Sequence, residues 1–190
     1  HRGRLLPARE VASGVGAFDV VIADLNGDGA SDLAVANITS GSARLELLYQ
    51  DPALRGSFRP AVALTVPGTA TTGVAAGDLD GDGRSDLAMV IALPRAGYTP
   101  NSVLGISLQR PDGTMGPVAT MAPQRGLNVA RMKVADYDGD GQNDLFACFT
   151  PFSTGYNAKL MVMLRGPVRG QFYAPVDTSM RDLKGIDHPV

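Results

Sequence analysis

Four oxygen-bearing side chains crowd into nine positions at "DLNGDGASD": Asp24, Asn26, Asp28 and Asp32, with two glycines between them. The pattern returns as "DLDGDGRSD" with Asp78, Asp80, Asp82 and Asp86, and as "DYDGDGQND" with Asp136, Asp138, Asp140 and Asp144. Side-chain oxygens at positions 1, 3, 5 and 9 of D-x-[DN]-x-D-G-x-x-D, with a backbone carbonyl at position 7, converge on one point when glycines permit a sharp turn. Hard oxygens in this number suit Ca²⁺, which accepts roughly six to eight of them in flexible geometry. Mg²⁺ demands a near-ideal octahedron and gives up water reluctantly, and zinc wants His or Cys. Closing such a loop without a cation is costly: two carboxylates about 4 Å apart repel by roughly 4 kcal/mol at an effective dielectric of about 20. A solvated Asp-Gly turn explains one such stretch, but not three with every side-chain oxygen position filled.

An EF-hand does not fit. It needs an acidic residue at position 12 and a helix after the loop, whereas position 12 is Val35, Met89 and Ala147 and each following segment is strand-like.

The elements that must hold these loops repeat with them. The first Asp of each copy falls at 24, 78 and 136, intervals of 54 and 58 residues, in the range of propellers and other repeat architectures. In each unit an apolar run enters the loop ("FDVVIA", "TGVAAG", "VARMKVA") and a second leaves it ("DLAVAN", "DLAMVIA", "DLFACF"). A third follows about a dozen residues later ("ARLELLYQ", "SVLGISLQ", "KLMVMLRG"), and a fourth after a Gly-containing turn ("FRPAVALTV", "GPVATMA", "QFYAPVDT"). Short strands, 23 Gly and 13 Pro leave few windows for a stable helix. The expected fold is all-β: a β-propeller of four-stranded antiparallel blades, with three complete blades at about 15–67, 72–122 and 127–178. Residues 1–14 read as the outer strand of a preceding blade and 181–190 as the inner strand of a following one. The 190 residues then form part of a single propeller, completed by the remainder of a longer chain or by a second copy.

Composition narrows the function. Eleven of the 19 acidic residues but only one of the 17 basic ones, Arg84, sit in the three loops, leaving 16 basic against 8 acidic residues elsewhere. Three bound divalent ions would turn the formal charge of −2 into +4, but the arginines are scattered, which argues against a nucleic-acid partner. No apolar run reaches the roughly 18 residues of a membrane span, and "HRGRLLPARE" has no signal-peptide core, so the chain reads as a mature form or an excised piece. The single cysteine, Cys148, excludes an internal disulfide and a cysteine metal site; at the register of Ala36 and Val90, it is expected to be a small buried side chain. The only histidines, His1 and His188, lie at the two ends, so the blades hold no Ser-His-Asp set. The acids outside the loops are dispersed, and every "GDG" belongs to an acidic loop that would repel phosphate. The reading is non-enzymatic.

With strand–loop–strand context, "DLNGDGASDLAVA", "DLDGDGRSDLAMV" and "DYDGDGQNDLFAC" resemble the FG-GAP/VCBS repeat family, the calcium-binding blades of integrin α-subunit propellers and many bacterial surface proteins. The Phe-Gly and Gly-Ala-Pro motifs of the family name are not clearly present, which points to its divergent bacterial branch. The resemblance implies three Ca²⁺ ions per chain. Their ligands would be Asp24, Asn26, Asp28, Asp32 and the Ala30 carbonyl; Asp78, Asp80, Asp82, Asp86 and the Arg84 carbonyl; and Asp136, Asp138, Asp140, Asp144 and the Gln142 carbonyl. It also implies a secreted, periplasmic or cell-surface protein. The expected function is a calcium-stabilised module for protein interaction, adhesion or surface assembly. The alternative is a lectin or the propeller of a polysaccharide-active enzyme.

In such a blade the face opposite the acidic loops carries "LPRAGYTPNS" and "TPFSTGYNA", each with a tyrosine 12 residues after the last Asp of its loop. Tyr98 and Tyr156, with Arg95, Asn101, Arg125 and Asn157 near them, form a candidate patch for a protein or a glycan. A repeated packing or turn role is the plainer reading of the tyrosines. The absence of Trp weakens the glycan reading.

Overall fold

The computed structural model describes residues 11, 16–39, 42–94, 101–121, 124–125, 127–151, 159–163, 165–166, 172 and 176–178. Among them every regular element is a strand and none is a helix. The first sheet holds β1 (Ala17–Ala23), β2 (Asp32–Thr39), β3 (Ser42–Leu48) and β4 (Val62–Thr65) in that order. The second holds β5 (Ala70–Gly77), β6 (Asp86–Ala92), β7 (Asn101–Ser107) and β8 (Ala119–Thr120), with the short β9 (Gln124–Arg125) also paired to β7. The third holds β10 (Leu127–Ala135), β11 (Asp144–Pro151), β12 (Lys159–Met163) and β13 (Val176–Thr178). Neighbouring strands are antiparallel throughout. The apolar runs of the sequence are these strands, and none of the three sheets closes on itself.

The sheets pack face to face, and the two cores lie between them. Leu87, Met89 and Ile91 of β6 pack with Ala34, Ala36, Leu45 and Leu47 of the first sheet. On the other side of the same strand, Ala88 and Val90 pack with Met132, Leu145 and Ala147 of the third sheet. Period-2 alternation therefore serves two cores at once, and β6 is apolar at nearly every position because both its faces are covered.

The first strand of each sheet carries one extra residue at the same place. The register shifts between Ala17 and Asp19, between Thr71 and Gly73, and between Val129 and Arg131, leaving Phe18, Thr72 and Ala130 as the bulged residues. Each stands six positions before the first Asp of its loop. In β5 the bulge leaves the Val74 N–H to a carboxylate from the first sheet, Asp19 Oδ2, at 3.2 Å.

One expectation is corrected. Cys148 is exposed rather than buried. It does occupy the register of Ala36 and Val90, but those residues face a following sheet, and no described element covers that side of β11. Burial at this position is conferred by the neighbour. Apart from residue 11, the terminal strands expected within 1–14 and 181–190 lie outside the described residues. Among the described residues no helix is long and apolar enough to cross a membrane.

Candidate metal centres

Each acidic loop joins the first strand of a sheet to the next strand, between β1 and β2, β5 and β6, and β10 and β11. The glycines at positions 4 and 6 are left-handed in all three, with φ of 77° and 81° at Gly27 and Gly29, 80° and 82° at Gly81 and Gly83, and 81° and 84° at Gly139 and Gly141. That conformation is the reason for glycine here: a Cβ would be strained at either position.

The turn is wound around its first carboxylate. Asp24 accepts from Gly27 N at 2.7 Å and Gly29 N at 2.8 Å, and Asp136 accepts from Gly139 N at 2.7 Å and Gly141 N at 3.0 Å. Asp78 accepts in the same way from Gly81 N and, at 2.9 Å, from Gly83 N. Positions 3 and 5 each cap the amide two residues on, as in Asp28 N to Asn26 Oδ1 and Ala30 N to Asp28 Oδ1, both 2.9 Å. The Asp at position 9 spans the loop. Asp32 Oδ2 accepts from Leu25 N at 2.9 Å, Asp86 Oδ2 from Leu79 N at 2.8 Å, and Asp144 Oδ2 from Tyr137 N at 3.0 Å.

This winding gathers the acids. Carboxylate oxygens of Asp78, Asp80 and Asp82 lie within 4.8 Å of one another, as do those of Asp136, Asp138 and Asp144. Oxygens bound to one Ca²⁺ at about 2.4 Å stand no more than about 4.8 Å apart, so both groups fit such an ion in spacing and in donor chemistry. Asp86 and Asp140 are outside these two groups but belong to the same hydrogen-bonded loops. In the first loop Asn26 replaces one acid, and its Nδ2 donates to Asp28 Oδ2 at 3.0 Å.

The ninth-position acid is buried in every loop, Asp32 and Asp86 wholly and Asp144 nearly so, and in the second loop Asp80 is buried as well. Burial pushes the pKa values of the ninth-position acids up against the hydrogen bonds they accept, with neighbouring loop carboxylates adding to the rise. Asp86 reaches about 6. Burial acts in the same direction on Asp78, but amides from Gly83, Gly81, Asp80 and Asp82 outweigh it and hold that carboxyl below its usual range.

Two features of the site escaped the sequence. The position-7 residues, expected to offer only carbonyls, also use their side chains. Arg84 forms an ion pair with Asp82, and its Nε donates to the Gln109 carbonyl at 3.3 Å; Gln142 Nε2 donates to Asp140 Oδ2 at 2.8 Å. Ala30 has no such group. Secondly, Oδ1 of each ninth-position acid accepts a distant backbone N–H: Gln50 on Asp32 at 2.8 Å, Gln109 on Asp86 at 2.8 Å and Arg165 on Asp144 at 2.9 Å. These residues share one register, since each also forms the bridge that closes the turn after the third strand. Sequence separations of 18, 23 and 21 residues hide that equivalence from pattern reading.

Of the candidate partner patch, Arg95, Tyr98, Tyr156 and Asn157 lie outside the described residues. Asn101 and Arg125 are brought together as partners of the β7–β9 pairing.

Residues 24–89 match the family model described as FG-GAP-like repeat. This stretch runs from the first acidic loop through the second and into β6, and it is similar to that repeat. Comparison with curated proteins gives no match.

Proposed function

We propose that the chain is part of a calcium-stabilised β-propeller whose role is to bind another protein at or outside the cell surface, in adhesion or surface assembly. The observation that carries this reading is the acidic loop built three times with one glycine geometry and one hydrogen-bond scheme. The three sheets are its blades. Asp24, Asn26, Asp28 and Asp32 with the Ala30 carbonyl would hold one ion. Asp78, Asp80, Asp82 and Asp86 with the Arg84 carbonyl would hold the second, and Asp136, Asp138, Asp140 and Asp144 with the Gln142 carbonyl the third. Bound calcium supplies positive charge that offsets the mutual repulsion of the carboxylates. The protein's own part is to hold those carboxylates in place with backbone amides.

Calcium bound only by the folded chain stabilises it by RT ln(1 + [L]/Kd), about 2.7 kcal/mol per site at a hundredfold excess over Kd. Extracellular calcium modules bind in the range of about 10⁻⁴–10⁻³ M, which fills only where calcium is abundant, and this supports the extracellular placement. The module is non-enzymatic, and its partner surface is the face opposite the acidic loops.

Thermal unfolding in calcium and in excess chelator, with the bound metal counted, tests the reading. A melting temperature that rises by several degrees in calcium, with about three ions per chain, supports it. No shift and no bound metal would reduce the acidic loops to turns and remove the argument for an extracellular setting.

A further inference from the structure

Gln109 and Arg165 look in two directions. The backbone of each ties to the ninth-position acid of its own sheet, while its side chain crosses to the acidic loop of the preceding sheet. Gln109 Nε2 donates to the Asp24 carbonyl at 3.3 Å, and Arg165 Nη2 donates to the Asp80 carbonyl at 2.9 Å. Asn143 Nδ2 adds a bond to the Asp78 carbonyl at 3.2 Å. Approach is close at both seams: a Cβ on Gly113 would overlap the Asn26 carbonyl, and one on Gly81 would overlap the Arg165 guanidinium. All the acceptors are carbonyls of loop positions 1 and 3, the peptides that set the direction of two expected ligand side chains. The reach leaves Gln109 Oε1 and Arg165 Nε buried without a hydrogen-bond partner among the described residues, a cost that calls for an explanation. Gln50, at the same register in the first sheet, instead donates to Ser31 O in its own sheet at 2.9 Å.

We propose that Gln109 and Arg165 are positioning residues that close the first and second metal loops, each from the following sheet. Ion binding in the first loop then depends on docking of the second sheet, and ion binding in the second loop on docking of the third. The inference rests on the calcium reading above. A peptide held by its carbonyl keeps the neighbouring carboxylates turned inward. Released, it rotates, and the acids spread under their own repulsion. The two seams differ in charge: Gln109 brings a neutral amide to a loop with three acids, and Arg165 a cation to a loop with four.

The test uses the full chain with Gln109→Met, Arg165→Met and Arg165→Lys, read by amide hydrogen exchange in chelator and in calcium, together with calcium titration. Gln109→Met is expected to speed exchange at Gly27 and Gly29 and to weaken one calcium site about fivefold, while Gly81 and Gly83 stay unchanged. Arg165→Met should do the reverse, and Arg165→Lys, which keeps a donor, should restore most of the protection. Exchange in β6 reports whether each variant is still folded. Equal loosening of both loops, or no change in either, overturns the proposal. A chain that binds no calcium overturns the reading beneath it, while the exchange pattern in chelator still decides whether these side chains hold the loops.

Discussion

Two positions recur in every sheet with opposite fates. The residue after the first loop Asp is Leu25, Leu79 or Tyr137: both leucines are fully buried, whereas Tyr137 is 39% exposed and rests edge-on against Phe146. Four residues after the ninth-position acid stand Ala36, Val90 and Cys148, of which the first two are buried and the last exposed. The preceding side shows the same contrast, with Val20 54% exposed while Val74 and Met132, at its register, are about 5% exposed or less. The first and second sheets have a following sheet packed on them, and the second and third a preceding one. Identical local structure thus yields a core residue or a surface residue according to what lies next to it.

The largest effect expected from this comparison separates Leu79 from Tyr137. Leu79→Ala should destabilise by about 3–4 kcal/mol, since it removes a fully buried side chain between two sheets. Tyr137→Ala should cost about 1 kcal/mol, mostly the lost ring contact. Urea unfolding of both variants measures the difference, and equal costs would show that the open face of the third sheet is covered in solution.

The next effect concerns pH. The raised pKa of Asp86 means that the folded, metal-free chain prefers its protonated form. That contribution is fully present below about pH 3.8 and is lost as the pH rises through about 6, a swing of about 2–3 kcal/mol. Asp78 runs the other way. Its lowered pKa adds stability above its ordinary value of 3.8 that is lost as pH falls through the folded value, so the two windows separate. Unfolding midpoints across pH 3–7 in chelator should show the Asp86 loss, and saturating calcium should abolish it.

Smaller still is the contrast between Gly27→Ala and Gly81→Ala. Both positions have φ near +80°, so each substitution costs about 1–2 kcal/mol of backbone strain. Gly27 faces open space, whereas a Cβ on Gly81 must displace Arg165, adding about 1 kcal/mol for the lost hydrogen bond. Comparing the two melting curves sharpens the difference between the seams. The Cys148 comparison has no energetic reading: the native thiol should react with a maleimide at once, and a cysteine placed at Val90 should be protected until unfolding.

The sequence shows most plainly what is repeated and local. Loop residues fixed the glycine pattern and the convergence of acids because spacing within nine residues sets both. Strands followed from apolar runs bounded by Gly and Pro. The bulge did not, because Phe18, Thr72 and Ala130 share no chemistry and only the pairing register reveals them. The exposure of Cys148 is not legible in its register, because the neighbouring sheet and not the register confers burial there. The roles of Gln109 and Arg165 are hidden in the sequence because their partners lie 85 residues away in the preceding loops.

The carboxylate of Asp19, set against the bulge of β5, gives the two seams different mechanics. Among the described residues the first seam is pinned by Asp19 at Val74 and by Gln109 at Asp24. Val74 stands four residues before the second loop, about 13 Å along the strand. The pins of the second seam, Asn143 and Arg165, sit together at the loop end, and Gly73 stands where Asp19 would repeat. A pulling force would therefore have to shear the first seam at two separated points, whereas the Asn143 and Arg165 bonds of the second would take the load together at the loop end.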